Sequence, residues 1–150
     1  MINKDIIKLA SNTSNVGLKN KYSHKVSLKN STCGDKITLE LIADKKKISS
    51  MKYETISCVY CEASASLLSR KIKNVKLKDI KNDLITLKKI SLKKNVKIPK
   101  RLSDFKKLLN SDNFNRFKCI FLPIDAVLKA LKLWKKYSLF YLCSVFFQKL

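Results

Sequence analysis

The hydrophobic period of the chain changes at Cys58, and that change restricts what it can fold into more than any other feature. Upstream, apolar and polar residues alternate. His24, Val26 and Leu28 interleave with Lys25 and Ser27; Ile37, Leu39 and Leu41 with Thr38 and Glu40; Met51, Tyr53 and Thr55 with Lys52 and Glu54. A period of two puts every second side chain on one face, the pattern of a half-buried strand. The polar run Asp44-Lys45-Lys46-Lys47 joins the second and third of these stretches as a hairpin. Downstream, Ala63, Ala65, Leu67, Leu68 and Ile72 follow helical spacing, with Arg70, Lys71 and Lys73 near the end where cations favour the helix dipole. Leu77, Ile80, Leu84 and Leu87 repeat that spacing, as do Leu102, Phe105, Leu108 and Leu109 after the break at Pro99. Pro123 stands where a first helical position is expected, with Ile124, Val127, Leu128, Leu131 and Trp134 along one face of a terminal helix. A short helical pattern over residues 2–11 precedes the strands and ends in Ser11-Asn12-Thr13-Ser14-Asn15. The prediction is an α+β fold: a three-stranded antiparallel sheet with helices packed on one face.

The 150 residues are one domain's worth, and 45% hydrophobic content is enough for a core without disulfides. The five cysteines are an odd number, in a chain that opens Met1-Ile2-Asn3-Lys4-Asp5 with no apolar signal region, and the expectation is a reduced, cytoplasmic protein. The domain is placed at residues 1–136. Residues 137–150 are read as an apolar C-terminal helical extension, short of the ~20 apolar residues a membrane span needs. It packs on the body or a second subunit, or lies on a membrane surface as an amphipathic segment. The net charge of +22 raises the question of nucleic acid. The lysines, however, run through nearly every segment, and only Arg70, Arg101 and Arg116 supply the planar fork that favours phosphate and base recognition. The expectation is a solvated lysine surface and no specific nucleic-acid partner.

Chemistry concentrates in Asn30-Ser31-Thr32-Cys33-Gly34-Asp35, in Ser57-Cys58-Val59-Tyr60-Cys61 and in Arg116-Phe117-Lys118-Cys119. Cys33 falls between the first two strands, Cys58 between the third strand and a helix, and Cys119 in a loop ahead of the terminal helix. Loops at one end of a layered fold can converge, and Gly34 permits the sharp turn that would bring Asp35 to the same centre. Soft thiolates with one carboxylate suit zinc or iron and would complete a tetrahedral site. On spacing alone, Asp35 as a turn residue and the cysteines as small buried hydrophobes is an equally good account. Cys58 and Cys61 form a C-x-x-C, but no second pair follows, so this is not a zinc-finger spacing. Cys143 lies in the apolar tail and reads as inert.

The motifs carry a resemblance. Residues 30–35 resemble the N-P-x-C-G-D loop, and Cys58 with Ala63-Ser64-Ala65-Ser66 resembles the G-C-x-x-x-x-A-S-A-S loop and helix, of the iron-sulfur cluster scaffold family related to the NifU N-terminal domain and IscU. Asp5-Ile6-Ile7, the turn Asn15-Val16-Gly17, the three strands, and Arg116-Phe117-Lys118-Cys119 ahead of Leu122-Pro123 keep the family's order, so the resemblance spans residues 2–134. Gly17 and Gly34, the two glycines of the chain, fall where the family has glycine. The long interval between Cys58 and Cys119 looks like the SufU branch, and so does Lys118, where the IscU branch has histidine. The one histidine, His24, falls on a strand at the apolar parity and reads as a half-buried strand residue.

The resemblance implies a SufU/IscU-like fold in which Cys33, Asp35, Cys58 and Cys119 bind zinc. It further implies a sulfur acceptor, akin to a sulfurtransferase, that takes persulfide sulfur from a pyridoxal-phosphate cysteine desulfurase, with Cys33 as the acceptor. Arg116, near the third cysteine in sequence, could hold Asp35 or steady thiolate charge by a hydrogen bond. The alternative in the same pathway is a scaffold on which iron and sulfide assemble into a cluster before transfer to acceptor proteins. A less favoured alternative of another class is a lysine-rich nucleic-acid-binding module with a structural metal. The chain departs from the family at Ser57 for glycine, Ser31 for proline, and Cys61 for a small polar residue or alanine. Cys61 is thereby a second candidate ligand or resolving thiol.

Overall fold

The computed structural model describes residues 2–92 and 95–132. Helix α1, Lys4–Ala10, is capped by Asn3, whose side chain accepts the Asp5 N–H at 2.8 Å. Three long strands follow where the alternation placed them: β1 (His24–Lys29), β2 (Lys36–Ala43) and β3 (Lys47–Ile56). They pair antiparallel, with Val26 opposite Leu39 and Leu39 opposite Tyr53, so that Ile37, Leu39, Leu41, Met51 and Tyr53 fall on one face and are fully buried. A fourth strand, β4 (Val75–Lys76), adds to β3 through Lys47 and Ile48, giving the order β1-β2-β3-β4. The three-stranded expectation is therefore corrected to four, since a two-residue strand leaves no period to detect.

Helix α2, Val59–Lys71, is the central helix of the layer, touching α1, β3 and α4 (Phe117–Ala130). Its Ala63-Ser64-Ala65-Ser66 run is wholly buried, and small side chains let the neighbours approach closely. The buried hydroxyls find partners: Ser64 donates to the Ile120 carbonyl at 2.6 Å and Ser66 to that of Asn12 at 2.9 Å. Glu62, in the first turn of α2, accepts from Tyr53 Oη at 3.1 Å and from the Thr55 hydroxyl, which fixes the start of the helix against β3. Helix α3, Leu77–Ile90, buries Ile80, Leu84 and Leu87 as its spacing predicts.

Two expectations about the last helices change. The segment around Leu102 and Phe105 forms a 3₁₀ helix, Lys100–Lys107, with non-helical backbone at Leu102, in place of an α-helix. Another 3₁₀ turn, Ser111–Arg116, runs directly into α4, so α4 begins at Phe117 and Pro123 sits inside it. Proline has no N–H for the carbonyl four residues back, which is that of Cys119. Trp134 and the proposed extension 137–150 lie outside the described residues.

Candidate metal centre

The turn between β1 and β2 is organised by Asn30. Its N–H donates to the Asp35 carbonyl at 2.7 Å, its carbonyl accepts the Gly34 N–H at 2.8 Å, and its side-chain oxygen accepts the Thr32 N–H at 3.0 Å. Gly34 closes the turn with φ at +78°, a left-handed conformation that side-chain-bearing residues rarely adopt. The result separates two neighbours in sequence: Cys33 is exposed while Asp35 is only 6% exposed.

Cys33, Asp35 and Cys119 converge. One ligand atom from each lies within 4.8 Å of the others, and the Cys33 and Cys119 sulfurs are 3.5 Å apart. Cys119 is in the first turn of α4, not in the loop ahead of it, because the helix starts earlier than Pro123 suggests. Cys58 is the residue before α2, half-buried, and its N–H donates to Asp35 Oδ1 at 3.0 Å. Its thiol stands outside the 4.8 Å group.

Electrostatics distinguish the members. Burial works against ionisation of Asp35, but the nearby Cys58 thiol and N–H, and then the nearby Cys119 and Cys33 thiols, outweigh it and hold the carboxyl below its usual value. Cys119 is pushed the other way, chiefly by burial, then by the Cys33 thiol and the charge at Cys58. A buried thiol of this kind stays protonated unless a cation replaces its proton. Asp35 Oδ2 is the informative atom: it is buried and has no hydrogen-bond partner. A buried carboxylate oxygen without a donor is destabilising, and a thiophilic divalent cation between it and the thiols would satisfy it. The donor set of sulfur plus carboxylate fits zinc or iron.

The remaining sequence candidates fall elsewhere. The Arg116 guanidinium stands over the Tyr60 ring at 5.7 Å, a cation-π contact, while Lys118 reaches across to Thr32 Oγ1 at 3.4 Å. Tyr60, which periodicity did not single out, thus holds Arg116 at the rim; its adjacency to Cys58 and Cys61 was the available signal. Cys61 is fully buried and desolvation pushes its thiol up to about 12, which suits a core residue. His24 is at the opposite end of β1, its Nδ1 2.8 Å from Ser23 Oγ. Cys143 lies outside the described residues.

Fold and site together describe a small α+β domain that gathers thiols and a carboxylate at one end of its sheet. The chain belongs to the NifU-like N terminal domain family, whose model matches residues 1–137. Among solved structures, it is similar to a nitrogen-fixing NifU-like protein (N-terminal) from Brucella abortus, at 21% identity and a TM-score of 0.76, covering 89% of this chain and 94% of that one. It is also similar to a putative iron-sulfur cluster assembly scaffold protein for the SUF system from Fervidobacterium islandicum AW-1, at 20% identity and a TM-score of 0.72, covering 87% and 96%. No curated protein sequence matches the chain. Among the described residues, no helix is long and apolar enough to cross a membrane.

Proposed function

We propose that this protein works in iron-sulfur cluster assembly as a sulfur acceptor, with Cys33 receiving sulfane sulfur from a pyridoxal-phosphate cysteine desulfurase. The observation that carries the reading is the asymmetry of the cluster: Cys33 is exposed while Asp35 and Cys119 beside it are buried. An exposed thiol at the mouth can meet another protein, and its buried neighbours can hold a metal. Cys33, Asp35 and Cys119 would hold zinc, with Cys58 as the fourth ligand. Zinc, when bound, keeps the thiols deprotonated at neutral pH. In the transfer, the Cys33 thiolate attacks the outer sulfur of the donor's cysteine persulfide. The donor S–S bond breaks, the donor cysteine leaves as a thiolate, and Cys33 carries the persulfide with no net oxidation. Membership of the NifU-like family supports the pathway, residues 1–136 are the unit proposed to act, and the four described cysteines, all free, suit a reducing cytoplasm.

A second reading, a scaffold for cluster assembly, is favoured by the same three thiols, which are the ligand type clusters require. Purified protein carrying about one zinc per chain and no acid-labile sulfide supports the acceptor reading. Stoichiometric iron and labile sulfide would move the assignment to the scaffold.

A further inference from the structure

A groove of about 530 Å³ lies between the turn after β1, the end of α3 and α4. Leu28, Phe117 and Phe121 give it an apolar floor, and Lys29, Lys118 and Lys129 stand exposed along its rim. Its one acidic lining residue, Asp125, is ion-paired to Lys88 at 2.6 Å. Four lysines against one aspartate leave the lining with a net charge of +3. Asn30 and Ser31, which also line it, belong to the turn that presents Cys33, and Lys118 precedes Cys119.

We propose that this groove docks an extended acidic segment, bearing at least one apolar side chain, of the protein that delivers sulfur to Cys33. The inference rests on the sulfur-acceptor reading. The floor supplies apolar area to bury, the rim supplies cations to pair with carboxylates, and a segment lying there meets the turn that presents the exposed thiol. A second copy of this chain fits poorly, because each copy carries +22. Single-stranded RNA fits less well than a peptide. No arginine lines the groove, and Phe121 is 5% exposed and packed edge-on against Phe117, so it offers no open ring for base stacking.

The test uses the full chain and a purified pyridoxal-phosphate cysteine desulfurase, with affinity measured by calorimetry. The groove pair Lys29→Glu/Lys129→Glu is compared with a control pair of equal charge change at the other end of the sheet, Lys45→Glu/Lys78→Glu. The groove pair should weaken binding about tenfold or more, the control pair less than about threefold, and high salt should narrow the gap. Sulfur uptake from a small-molecule persulfide should be the same in both, which shows that the variants fold and the thiols work. Equal weakening by both pairs overturns the groove assignment alone. No binding by the unaltered protein overturns the desulfurase reading and the groove with it. An RNA oligonucleotide that loses more affinity to the groove pair than to the control pair assigns the groove to nucleic acid and overturns the proposal.

Discussion

Strand β2 and the turn that leads into it carry two buried carboxylates, Glu40 and Asp35, and they are satisfied in different ways. Glu40 Oε2 accepts the Lys19 and Asn20 N–H groups at 2.9 and 3.1 Å, and Oε1 lies 3.2 Å from Lys25 Nζ. A turn folded over the outer face of the sheet satisfies Oε2, while Oε1, which accepts no hydrogen bond, faces the Lys25 ammonium of β1 as an ion pair. Asp35 has the Cys58 N–H on one oxygen and nothing on the other, which lies beside thiols. Both groups are held below the usual carboxylate range, in each case against a burial penalty. The difference lies in the cation: Glu40 already faces one, Lys25, and fastens a loop, whereas Asp35 Oδ2 has neither a hydrogen bond nor a cation and is open to the metal proposed for this site.

The sharpest break between the two regions comes from the nucleophile. Cys33→Ala should lower sulfur uptake from the desulfurase by at least about 100-fold, read by persulfide labelling, while Glu40→Gln leaves uptake unchanged. Next, Asp35→Asn preserves an acceptor for the Cys58 N–H but removes the anionic oxygen. Zinc affinity, measured by competition with a chelator, should fall at least about 100-fold, since even outer-shell partners are worth 10–100-fold. Equal zinc affinity in Asp35→Asn and Glu40→Gln would erase the distinction.

Smaller effects sharpen it. Gly34→Ala meets no atom within 4 Å, so its cost is conformational, about 1–2 kcal/mol in chemical denaturation, from forcing an L-residue into φ +78°. The Glu40 contribution should appear as acid sensitivity. A carboxylate with its pKa lowered from 4.5 stabilises the fold above its unfolded value and loses that contribution as pH falls through the depressed folded value. Denaturation midpoints followed from about pH 6 to about pH 3 should therefore fall less steeply in Glu40→Gln than in the unaltered chain. Smallest is Cys61→Ala, expected to leave sulfur uptake and zinc intact and to cost about 1 kcal/mol of packing. Loss of zinc in that variant would restore Cys61 as a ligand.

The three long strands and α2 and α3 were legible because one face of each is buried and the period shows it. The residues that the structure brings together at the site, Cys33, Asp35 and Cys119, were legible through the turn chemistry of Gly34 and through family motifs. Other features depend on tertiary enclosure, which alternation cannot report. Glu40 sits at the solvent-facing parity of β2 and is nonetheless 2% exposed, because the Lys19 and Asn20 turn covers it. Asn20, at φ +54°, was the local sign of that turn. The start of α4 was misread at Pro123 because the 3₁₀ turn before it carries no clear period and helical packing tolerates the proline. Cys61, by sequence a second candidate ligand or resolving thiol, is placed in the core by α2.

Cys33 is proposed as the sulfur acceptor of a metal-holding site. The most direct test is peptide mapping by mass spectrometry, after the zinc-loaded protein is incubated with a cysteine desulfurase and cysteine and then alkylated. A single-sulfur increment is expected on the peptide containing Cys33, and none on those containing Cys58, Cys61 or Cys119. An increment confined to another cysteine, or found equally on all of them, contradicts the assignment of Cys33.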